Sequence, residues 1–441
     1  MDLLHQIYFG GVVGAGGAGF PTHKKLIKDA ELLIVNAAEC EPLLCTDRYV
    51  MRNYAKEVVS ALVAIKNEMC ICRVVIGTKA KYTREIASLQ AEIDAQSAGI
   101  EIFGTKSFYP AGDEQVLIYE ITGKTVPPGG IPISVGVVVI NVTTALNIYD
   151  AINGVPVTRK YVTVTGEVAK PCIVRVPVGV PVSDCIAAAG GAVCDDYIII
   201  MGGPMMGKQY SSPQFDSLYI TKTDGGIIVL PSGHYIHEFK RKTLEHIINQ
   251  TKSVCIQCSY CTEQCPRYLI GHPLRPNRIM RIVATGTNPE NLAEALLCSE
   301  CGVCELHSCP MSLSPRQVNI YIKDLLRKNG IRSTFRNNPD QTTMREYRRL
   351  DQRWLIAQLD LMDYPTDIDL VVEYEPDRVC IPLKHGLGKN AEAVVAEGDR
   401  VEVGSLLGHV DFEDMGSMIY SSVKGTVTSV SENAVAVRKG V

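Results

Sequence analysis

The chain has 441 residues, which is too long for one ordinary hydrophobic core and predicts two to four domains. Its formal net charge of −4 supplies no basic field for nucleic acid or anionic lipid, so we expect neither as a partner. The longest apolar run, residues 135–142, is far too short to span a membrane. Residues 1–20 lack the basic region and the cleavage site of a secretory leader, so the sequence predicts a cytoplasmic location.

Residues 1–155 alternate buried, strand-like apolar runs with stretches of helical periodicity. This alternation is typical of a Rossmann-like α/β domain. It predicts strands and helices in turn at residues 32–39, 47–68, 72–78, 82–96 and 135–142.

A glycine-rich stretch precedes the first predicted strand. Gly14, Gly16 and Gly19 match the dinucleotide fingerprint G-x-G-x-x-G, and Glu39 falls 20 positions after Gly19. Such a fingerprint should follow a well-formed strand, however, and the residues ahead of it contain two glycines and make a weak strand. The sequence therefore keeps two alternatives, a Rossmann nucleotide site or another site where a ligand approaches the backbone closely.

Further units follow along the chain. Residues 156–230 show alternating strands around a Gly-Glu turn and a short helix after Ser183, which predicts a β-grasp-like domain. Residues 245–330 form a cysteine-rich helical domain, and residues 331–365 have the composition of a solvated linker or an exposed helix. Residues 366–441 predict a small all-β sandwich, since short strands alternate with Gly-Asp and Lys-Gly turns.

Eight of the 16 cysteines fall into two runs between residues 255 and 309. The runs are C-x2-C-x2-C-x3-C-P and C-x2-C-x2-C-x4-C-P, and in two-cluster ferredoxins the fourth cysteine of such a run ligates the other cluster. Structural zinc commonly uses two separated CxxC pairs and fits these runs poorly. We therefore predict two [4Fe–4S] clusters, while the extra residue in the second run leaves the crossed pairing open. The predicted ligand sets are Cys255, Cys258, Cys261 and Cys309 for one cluster and Cys265, Cys298, Cys301 and Cys304 for the other.

Two adjacent clusters conduct electrons singly, whereas a nicotinamide delivers a hydride, which carries two electrons at once. A flavin converts one kind of transfer into the other, so the cysteine runs predict a flavin site upstream. The glycine-rich stretch is the leading candidate for that site.

Several stretches carry a family resemblance: GAGGAGFPTHKK (14–25), VNAAECEP (35–42), YPAGDEQVLIYEITGK (109–124), INVTTALNIYDAI (140–152) and GGPMMG (202–207). Together with the cysteine runs, they resemble the flavin- and NADH-binding subunit of respiratory complex I. They resemble more closely the C subunit of Rnf-type electron-transport complexes and the cobalamin reductases of propanediol-utilisation microcompartments. In the Rnf subunit the barrel-sandwich segment precedes the flavin-like domain, whereas here it lies at the C-terminal end, as in the cobalamin reductases.

The resemblance implies an SLBB-type β-grasp domain, a barrel-sandwich hybrid domain and roles for particular residues. The FMN contacts that it implies are Gly14, Gly16, Gly17, Gly19, Asn36, Glu39 and Asn141. The NADH contacts that it implies are Phe20, Lys25, Glu41 and Glu114, of which Glu41 and Glu114 are the catalytic candidates. The complex I relative has an arginine and an aspartate where this chain has Ala15 and Ala38, which removes two flavin contacts.

The implied activity is an NADH-dependent reductase that passes electrons through FMN and two [4Fe–4S] clusters to cob(III)alamin or cob(II)alamin, in support of adenosylcobalamin regeneration. The implied partners are a corrinoid adenosyltransferase or a microcompartment shell protein, and an oligomer is compatible with the sequence. The implied location is the cytoplasm, either free or inside a bacterial microcompartment. Two alternatives stay open: a subunit of an Rnf-type membrane complex, and an electron-conducting adaptor that binds no NADH.

Two histidines, His272 and His307, lie beside the cysteine runs. Either could tune a cluster by donating a hydrogen bond to a sulfur atom. The alternative, which the sequence favours, is that both are ordinary, partly exposed histidines.

Overall fold

The structure is a computed structural model, and it describes residues 1–28, 30–286, 289–332 and 342–440, with the backbone alone at 289–291. Its elements form an α/β domain, a mixed β domain, a helical domain and an all-β domain, in the predicted order. None of the described helices is long and apolar enough to cross a membrane.

The first domain, the flavin domain, is an α/β unit. Its elements are α1 (Leu3–Phe9), α2 (Thr22–Lys25), β1 (Leu32–Asn36), α3 (Thr46–Asn53), α4 (Ala55–Glu68), β2 (Arg73–Lys79), α5 (Thr83–Ala95), β3 (Glu101–Thr105), β4 (Phe108–Tyr109), α6 (Glu114–Thr122), β5 (Val137–Asn141) and α7 (Val142–Ile152). Four strands form a parallel sheet in the order β3-β2-β1-β5. The predicted helix at 47–68 is interrupted at Tyr54 and forms α3 and α4.

Both faces of the parallel sheet are covered. Leu33 of β1 belongs to the core on the side of α3, α4 and α7, whereas Ile34 belongs to the core on the side of α6. Burial on both faces explains why these strands are continuous apolar runs. Strands β1 and β5 are neighbours, and Asn36 and Asn141 are register partners at their carboxyl ends. The strand order reverses between β1 and β5, and open α/β sheets bind ligands in the crevice at such a reversal.

The second domain is a mixed sheet with one short helix. Its elements are β6 (Arg159–Gly166), β7 (Cys172–Pro177), α8 (Val182–Ala188), β8 (Tyr197–Met201), β9 (Lys208–Tyr210) and β10 (Gly226–Pro231). A further strand, Val371–Glu373, adds to the edge beside β7 in parallel orientation. Residues 371–373 therefore belong to this sheet, although the predicted boundary at 366 placed them in the last domain.

The third domain is helical and carries both cysteine runs. Its helices are α9 (Tyr235–Lys240), α10 (Leu244–Val254), α11 (Tyr260–Glu263), α12 (Pro266–Leu269), α13 (Pro276–Thr285), a 3-10 helix (Pro289–Leu297), α14 (Val303–Leu306) and α15 (Pro315–Lys328). Ile247, Met280 and Ile322 of the three longer helices share one apolar core. Helix α15 begins with Pro315, whose fixed φ suits the first helical turn.

The segment after this domain was predicted to be a linker, and residues 333–341 of it lie outside the described residues. The remainder forms α16 (Arg345–Arg348), β11 (Leu350–Asp351) and α17 (Gln352–Gln358). Strand β11 pairs antiparallel with β4, and Leu355 and Leu359 are fully buried. The described part is therefore packed against the flavin domain and is not a solvated connector.

The last domain is an all-β unit. After β12 (Val371–Glu373), which completes the second domain, its strands are β13 (Arg378–Pro382), β14 (Glu392–Ala393), β15 (Arg400–Val401), β16 (Leu406–His409), β17 (Ile419–Tyr420), β18 (Gly425–Val430) and β19 (Ala434–Lys439). They form two antiparallel sheets in the orders β13-β19-β18-β15 and β14-β16-β17, around a core that includes Leu407 and Val435. Alternating buried residues on short strands are the pattern of the predicted sandwich.

Candidate functional site

The glycine loop, residues 13–21, lies at the carboxyl end of β5. Val13 and Pro21 form a bridge at its base, and the Gly14 N–H donates to the Phe20 carbonyl at 2.9 Å. The Ala15 N–H donates to Oγ1 of Thr144 in α7 at 2.9 Å. A Cβ atom on Gly16 would lie 3.5 Å from the Cβ of Asn141. The loop therefore lies against the sheet edge where β1 and β5 end.

The tip of this loop can bind an anionic or carbonyl group through its backbone. Gly16, Gly17 and Ala18 are exposed, and within the described part of the chain no oxygen accepts their N–H groups. Gly17 has a φ of +114°, which only glycine adopts readily. Gly19 (φ +64°) is glycine for a second reason, since a Cβ there would lie 2.7 Å from the His385 carbonyl oxygen of the last domain. Free N–H groups on a glycine loop beside a helix N-terminus fit a flavin phosphate or ring carbonyl.

The two predicted asparagines are held at this edge by protein contacts. Asn36 Nδ2 donates to the Gly112 carbonyl at 2.8 Å, and its Oδ1 accepts from the Ala38 N–H at 3.2 Å. Asn141 Nδ2 donates to Asp47 Oδ2 at 2.7 Å, and its Oδ1 caps α7. Burial raises the pKa of the Asp47 carboxyl, which these hydrogen bonds partly offset. Direct flavin contact by either asparagine stays a prediction.

A buried lysine of the second domain reaches the same region and was missed by the sequence analysis. Lys160 is 3% exposed, and none of the described acceptors bonds to its Nζ. Burial lowers the pKa of Lys160. The nearby carboxylates of Asp47, Asp224 and Glu39 oppose this shift, because they favour the charged form of the lysine. Glu39 is half-buried, and burial together with the Asp47 charge raises its pKa. The sequence did not indicate this role for Lys160. It lies near the start of β6, and the apolar pattern of that strand does not show which domain a residue there will contact.

Lys25 and Glu114, two predicted NADH contacts, are brought together. Lys25 Nζ lies 2.7 Å from Glu114 Oε1, and both side chains are about one-third exposed. Glu114 begins α6 directly after Asp113, whose carboxylate caps that helix through the Gln115 N–H at 3.0 Å. This pair is therefore an accessible polar site at a helix N-terminus. Phe20 is half-buried in the adjoining loop.

Glu41, the other catalytic candidate, lies elsewhere. Its Oε2 accepts from the Met205 N–H at 3.0 Å, and its Oε1 accepts from the Met206 N–H at 3.1 Å. The hydroxyl of Tyr109 lies 3.2 Å from the same Oε1 and donates to the Cys301 carbonyl at 2.8 Å. Burial raises the pKa of Glu41. The structure thus places Glu41 where the flavin domain, the GGPMMG turn and the cysteine domain meet, without a described contact to Lys25 or Glu114. Its predicted role toward NADH stays a prediction.

The eight cysteines line two cavities, four cysteines around each. The first, the inner cavity, is lined by Cys265, Cys298, Cys301 and Cys304. The second, the outer cavity, is lined by Cys255, Cys258, Cys261 and Cys309. The grouping is the crossed one, with the fourth cysteine of each run beside the first three of the other.

Both runs share a local backbone that suits an iron–sulfur cluster. Gln257 and Ser259 in the first run, and Glu300 and Gly302 in the second, all have positive φ at matching positions. Turns of this kind direct backbone N–H groups toward the cysteine sulfurs. In the second run, the Glu300 N–H donates to Cys298 Sγ at 3.4 Å. The crossed grouping of the cysteines is the one found in two-cluster ferredoxins, whereas structural zinc commonly uses two separated CxxC pairs. Ligation itself stays a prediction.

The two histidines bond to neighbouring loops and helices. His272 Nε2 lies 2.9 Å from the Val126 carbonyl, and burial lowers its pKa to about 4. His307 Nδ1 lies against the Gln358 side chain. Neither ring hydrogen-bonds to a described cysteine sulfur. His272 is 2% exposed, so the expectation that it is partly exposed was wrong.

Four known domains match the chain in the order of the structure. They are the Nuo51 FMN-binding domain (residues 7–150), the SLBB domain (161–209), the 4Fe-4S dicluster domain (254–314) and the RnfC barrel sandwich hybrid domain (366–441). This combination, with the glycine loop and the cysteine cavities, defines a multidomain flavo-iron–sulfur oxidoreductase. The predicted fold class is thereby confirmed.

The relatives identify the family within that class. The chain is 40% identical to cobalamin reductase PduS of Salmonella typhimurium, over all of this chain and 97% of the relative. It is 38% identical to cobalamin reductase PduS of Citrobacter freundii, over 99% of this chain and 96% of that one. The chain belongs to the cobalamin reductase PduS family.

Solved structures share the fold at lower identity. Two structures of an NAD+-reducing [NiFe]-hydrogenase, in the H2-reduced and air-oxidised states, each align with a TM-score of 0.50. Their identities are 19% and 21%, over 76% and 82% of this chain, which spans 63% and 65% of those chains. At this identity the likeness shows the fold alone.

Proposed function

We propose that this protein is an NADH-dependent reductase that delivers electrons to the cobalt of a corrinoid. FMN supplies the conversion of hydride chemistry into one-electron transfer when bound, and two [4Fe–4S] clusters supply conduction of single electrons. The observation that supports the proposal most is the pair of four-cysteine cavities, one of which is tied to the flavin domain by the Tyr109 hydrogen bond to Cys301 at 2.8 Å.

The chain's own residues bind and orient the cofactors. The N–H groups of Gly16 and Gly17 bind FMN, whose phosphate the N-terminus of α7 also attracts. Lys25 and Glu114 bind the dinucleotide, since a cation suits its phosphates and a carboxylate accepts hydrogen bonds from its hydroxyl or amide groups. The cysteines of the inner and outer cavities hold the two clusters.

The family names support a corrinoid acceptor. One NADH yields NAD+, a proton and two electrons. These reduce two Co(III) centres to Co(II), two Co(II) centres to Co(I), or one Co(III) centre to Co(I) in two single-electron steps. Because cob(I)alamin is the substrate of adenosylation, we expect a corrinoid adenosyltransferase or a microcompartment shell protein as the partner. We also expect a location in the cytoplasm, either free or inside such a compartment.

The test is an anaerobic reaction of the chain, reconstituted with iron, sulfide and FMN, with excess NADH and hydroxocobalamin. The flavin and corrinoid spectra are followed together. Glu114→Ala should slow flavin bleaching by NADH about 10²-fold, because it removes a dinucleotide contact. Glu413→Ala is the matched control, since Glu413 pairs with the neighbouring Lys24 at 3.1 Å and lies in the last domain.

The outcomes separate the alternatives. Flavin bleaching by NADH that survives removal of the clusters, together with cobalamin reduction that is lost, supports the proposal. Bleaching without cobalamin reduction keeps the NADH reductase and excludes the corrinoid acceptor. Absence of bleaching in the reconstituted parent excludes NADH dependence and favours an electron-conducting adaptor.

A further inference from the structure

The inner cavity is covered by two other domains. On the flavin side, the Tyr109 hydroxyl donates to the Cys301 carbonyl, and Tyr109 is 2% exposed. On the side of the second domain, a Cβ atom on Gly302 would lie 3.3 Å from the Met205 carbonyl oxygen. No large acceptor can therefore approach the inner cavity from these two sides without separating the domains.

A buried ion pair also holds the flavin domain against the cysteine domain. Asp113, which caps α6 of the flavin domain, lies 2.9 Å from Arg267, and both side chains are about one-tenth exposed. Arg267 follows Cys265, the cysteine that the first run contributes to the inner cavity. The inner cavity is thus attached rigidly to the flavin end of the molecule.

The outer cavity is different, because the loop that forms it lies at the surface. Ile256 is 62% exposed and Tyr260 is 51% exposed, and Gln257 between them is exposed as well. Ile256 and Gln257 both line the cavity, so their other sides face solvent directly above it. A molecule seated on this loop is separated from the cavity by one layer of side chains.

The chemistry of the loop points to an uncharged ring as the occupant. Residues 253–262 contain no charged side chain, whereas proteins that exchange electrons transiently are usually steered together by complementary charges. Ile256 and Tyr260 offer an apolar and an aromatic surface to a flat macrocycle. Gln257 Nε2 donates to Cys255 Sγ at 3.1 Å, so its carbonyl oxygen is the group that it offers to the amide side chains that surround a corrin.

We propose that the exposed loop Ile256–Tyr260 is the docking surface for the corrin ring of the acceptor. This inference rests on the proposed function and adds the place where the acceptor binds. Each transfer there adds one electron to cobalt, from Co(III) to Co(II) or from Co(II) to Co(I), and the electron comes from NADH. The axial hydroxide of hydroxocobalamin takes up a proton on reduction and leaves as water.

The test compares two isoleucines that are equally exposed. Ile256→Glu places a charge on the loop, and Ile131→Glu places one on a flavin-domain loop where Ile131 is 64% exposed. Binding of hydroxocobalamin to the oxidised, reconstituted protein is measured by equilibrium dialysis, without NADH. Ile256→Glu should raise Kd and KM about tenfold with kcat nearly unchanged, and Ile131→Glu should leave all three as in the parent.

Further measurements separate docking from cluster assembly. Iron content, the EPR signal of the reduced protein and flavin bleaching by NADH should be the same in Ile256→Glu and in the parent. Tyr260→Ala should raise Kd for hydroxocobalamin. Tyr260→Phe should have the Kd of the parent, since only the aromatic ring is needed. Trp354→Ala, at an aromatic residue that is 75% exposed on α17, should have no effect.

The proposal is overturned if Kd for hydroxocobalamin is unchanged in Ile256→Glu and Tyr260→Ala. It is also overturned if the parent bleaches with NADH but transfers electrons only to a protein acceptor, in which case the NADH reductase stands. A parent that does not bleach with NADH contradicts the proposed function itself, and the dialysis result then still decides whether the loop binds a corrinoid.

Discussion

The two cysteine runs have nearly the same local structure and opposite surroundings. Each run has two positive-φ residues at matching positions and three cysteines around one cavity. The inner cavity is enclosed by the flavin and second domains, whereas the loop of the outer cavity is exposed at Ile256 and Tyr260. Local spacing therefore determines what a run can hold, while the tertiary contacts determine what can reach it.

The largest expected effect comes from removing one cysteine of each set. Cys301→Ala should prevent reduction of the remaining cluster by NADH, because the inner cavity is the one joined to the flavin domain. Cys258→Ala should leave the inner cluster reducible by NADH and lower cobalamin reduction more than about 100-fold, by analogy with loss of any essential carrier. EPR of each variant after mixing with NADH, together with its iron content, checks this. Equal cluster reduction in both variants would show that the two cavities do not differ in their access to electrons from the flavin.

The next effect concerns the contact that covers the inner cavity. Tyr109→Phe leaves the Cys301 carbonyl without its buried donor and should lower the free energy of unfolding by about 1–3 kcal/mol. Thermal unfolding of the reconstituted protein measures the change. Tyr347→Phe, at a tyrosine that is 82% exposed, is the control and should change nothing. An unchanged unfolding temperature in Tyr109→Phe would show that the hydrogen bond from Tyr109 to the Cys301 carbonyl does not stabilise the protein.

At the flavin end of the covered region, Lys160 is a buried charge without a hydrogen-bond partner among the described residues. We expect Lys160→Met to weaken FMN binding about tenfold, because it removes a positive charge from the region where Asn141 and Asp47 meet. Quenching of FMN fluorescence gives Kd, and the exposed Lys208→Met serves as control. If Lys160→Arg fails to retain FMN while Lys160→Met does, the charge has no such role.

The smallest expected effect is a pH dependence at the seam between the flavin, second and last domains. Lys222 Nζ donates to the Gly11 and Met418 carbonyls at 2.8 and 2.7 Å, and burial lowers its pKa to about 7. Between pH 7 and the ordinary lysine value near 10.5, the unfolded chain binds more protons than the folded one, so stability should rise with pH. Unfolding temperatures at several pH values in this window should show a shallower slope in Lys222→Met. A parallel slope in both proteins would contradict this.

Much of the cysteine domain followed from the sequence because its determinants are local. The x2 spacing, the Cys-Pro ends and the ferredoxin rule predicted which cysteines share a cavity, and the structure groups them in that way. The apolar runs likewise predicted the buried strands, since a parallel sheet covered on both faces leaves a continuous pattern. These features depend on residues a few positions apart.

The remaining features depend on distant partners. Glu41 contacts Met205, 164 positions away, and no pattern around either residue indicates this contact. Lys160 is the second residue of an ordinary strand, and only the packing of two domains brings it toward Asp47. The pairing of Val371–Glu373 with β7 was not predicted, because three residues carry too little alternation to show their partner.

The last domain also contacts the beginning of the chain. Tyr8 in α1 donates to the Val410 carbonyl at 2.6 Å, His5 stacks on Phe412 at 4.5 Å, and the Leu387 N–H donates to Ala18 of the glycine loop at 3.1 Å. A barrel-sandwich module attached ahead of α1 could therefore occupy the same place as one attached at the other end. Gene rearrangement can then change the order of the domains along the polypeptide without changing how they pack. The glycine loop would keep its contact with the barrel-sandwich domain in either order.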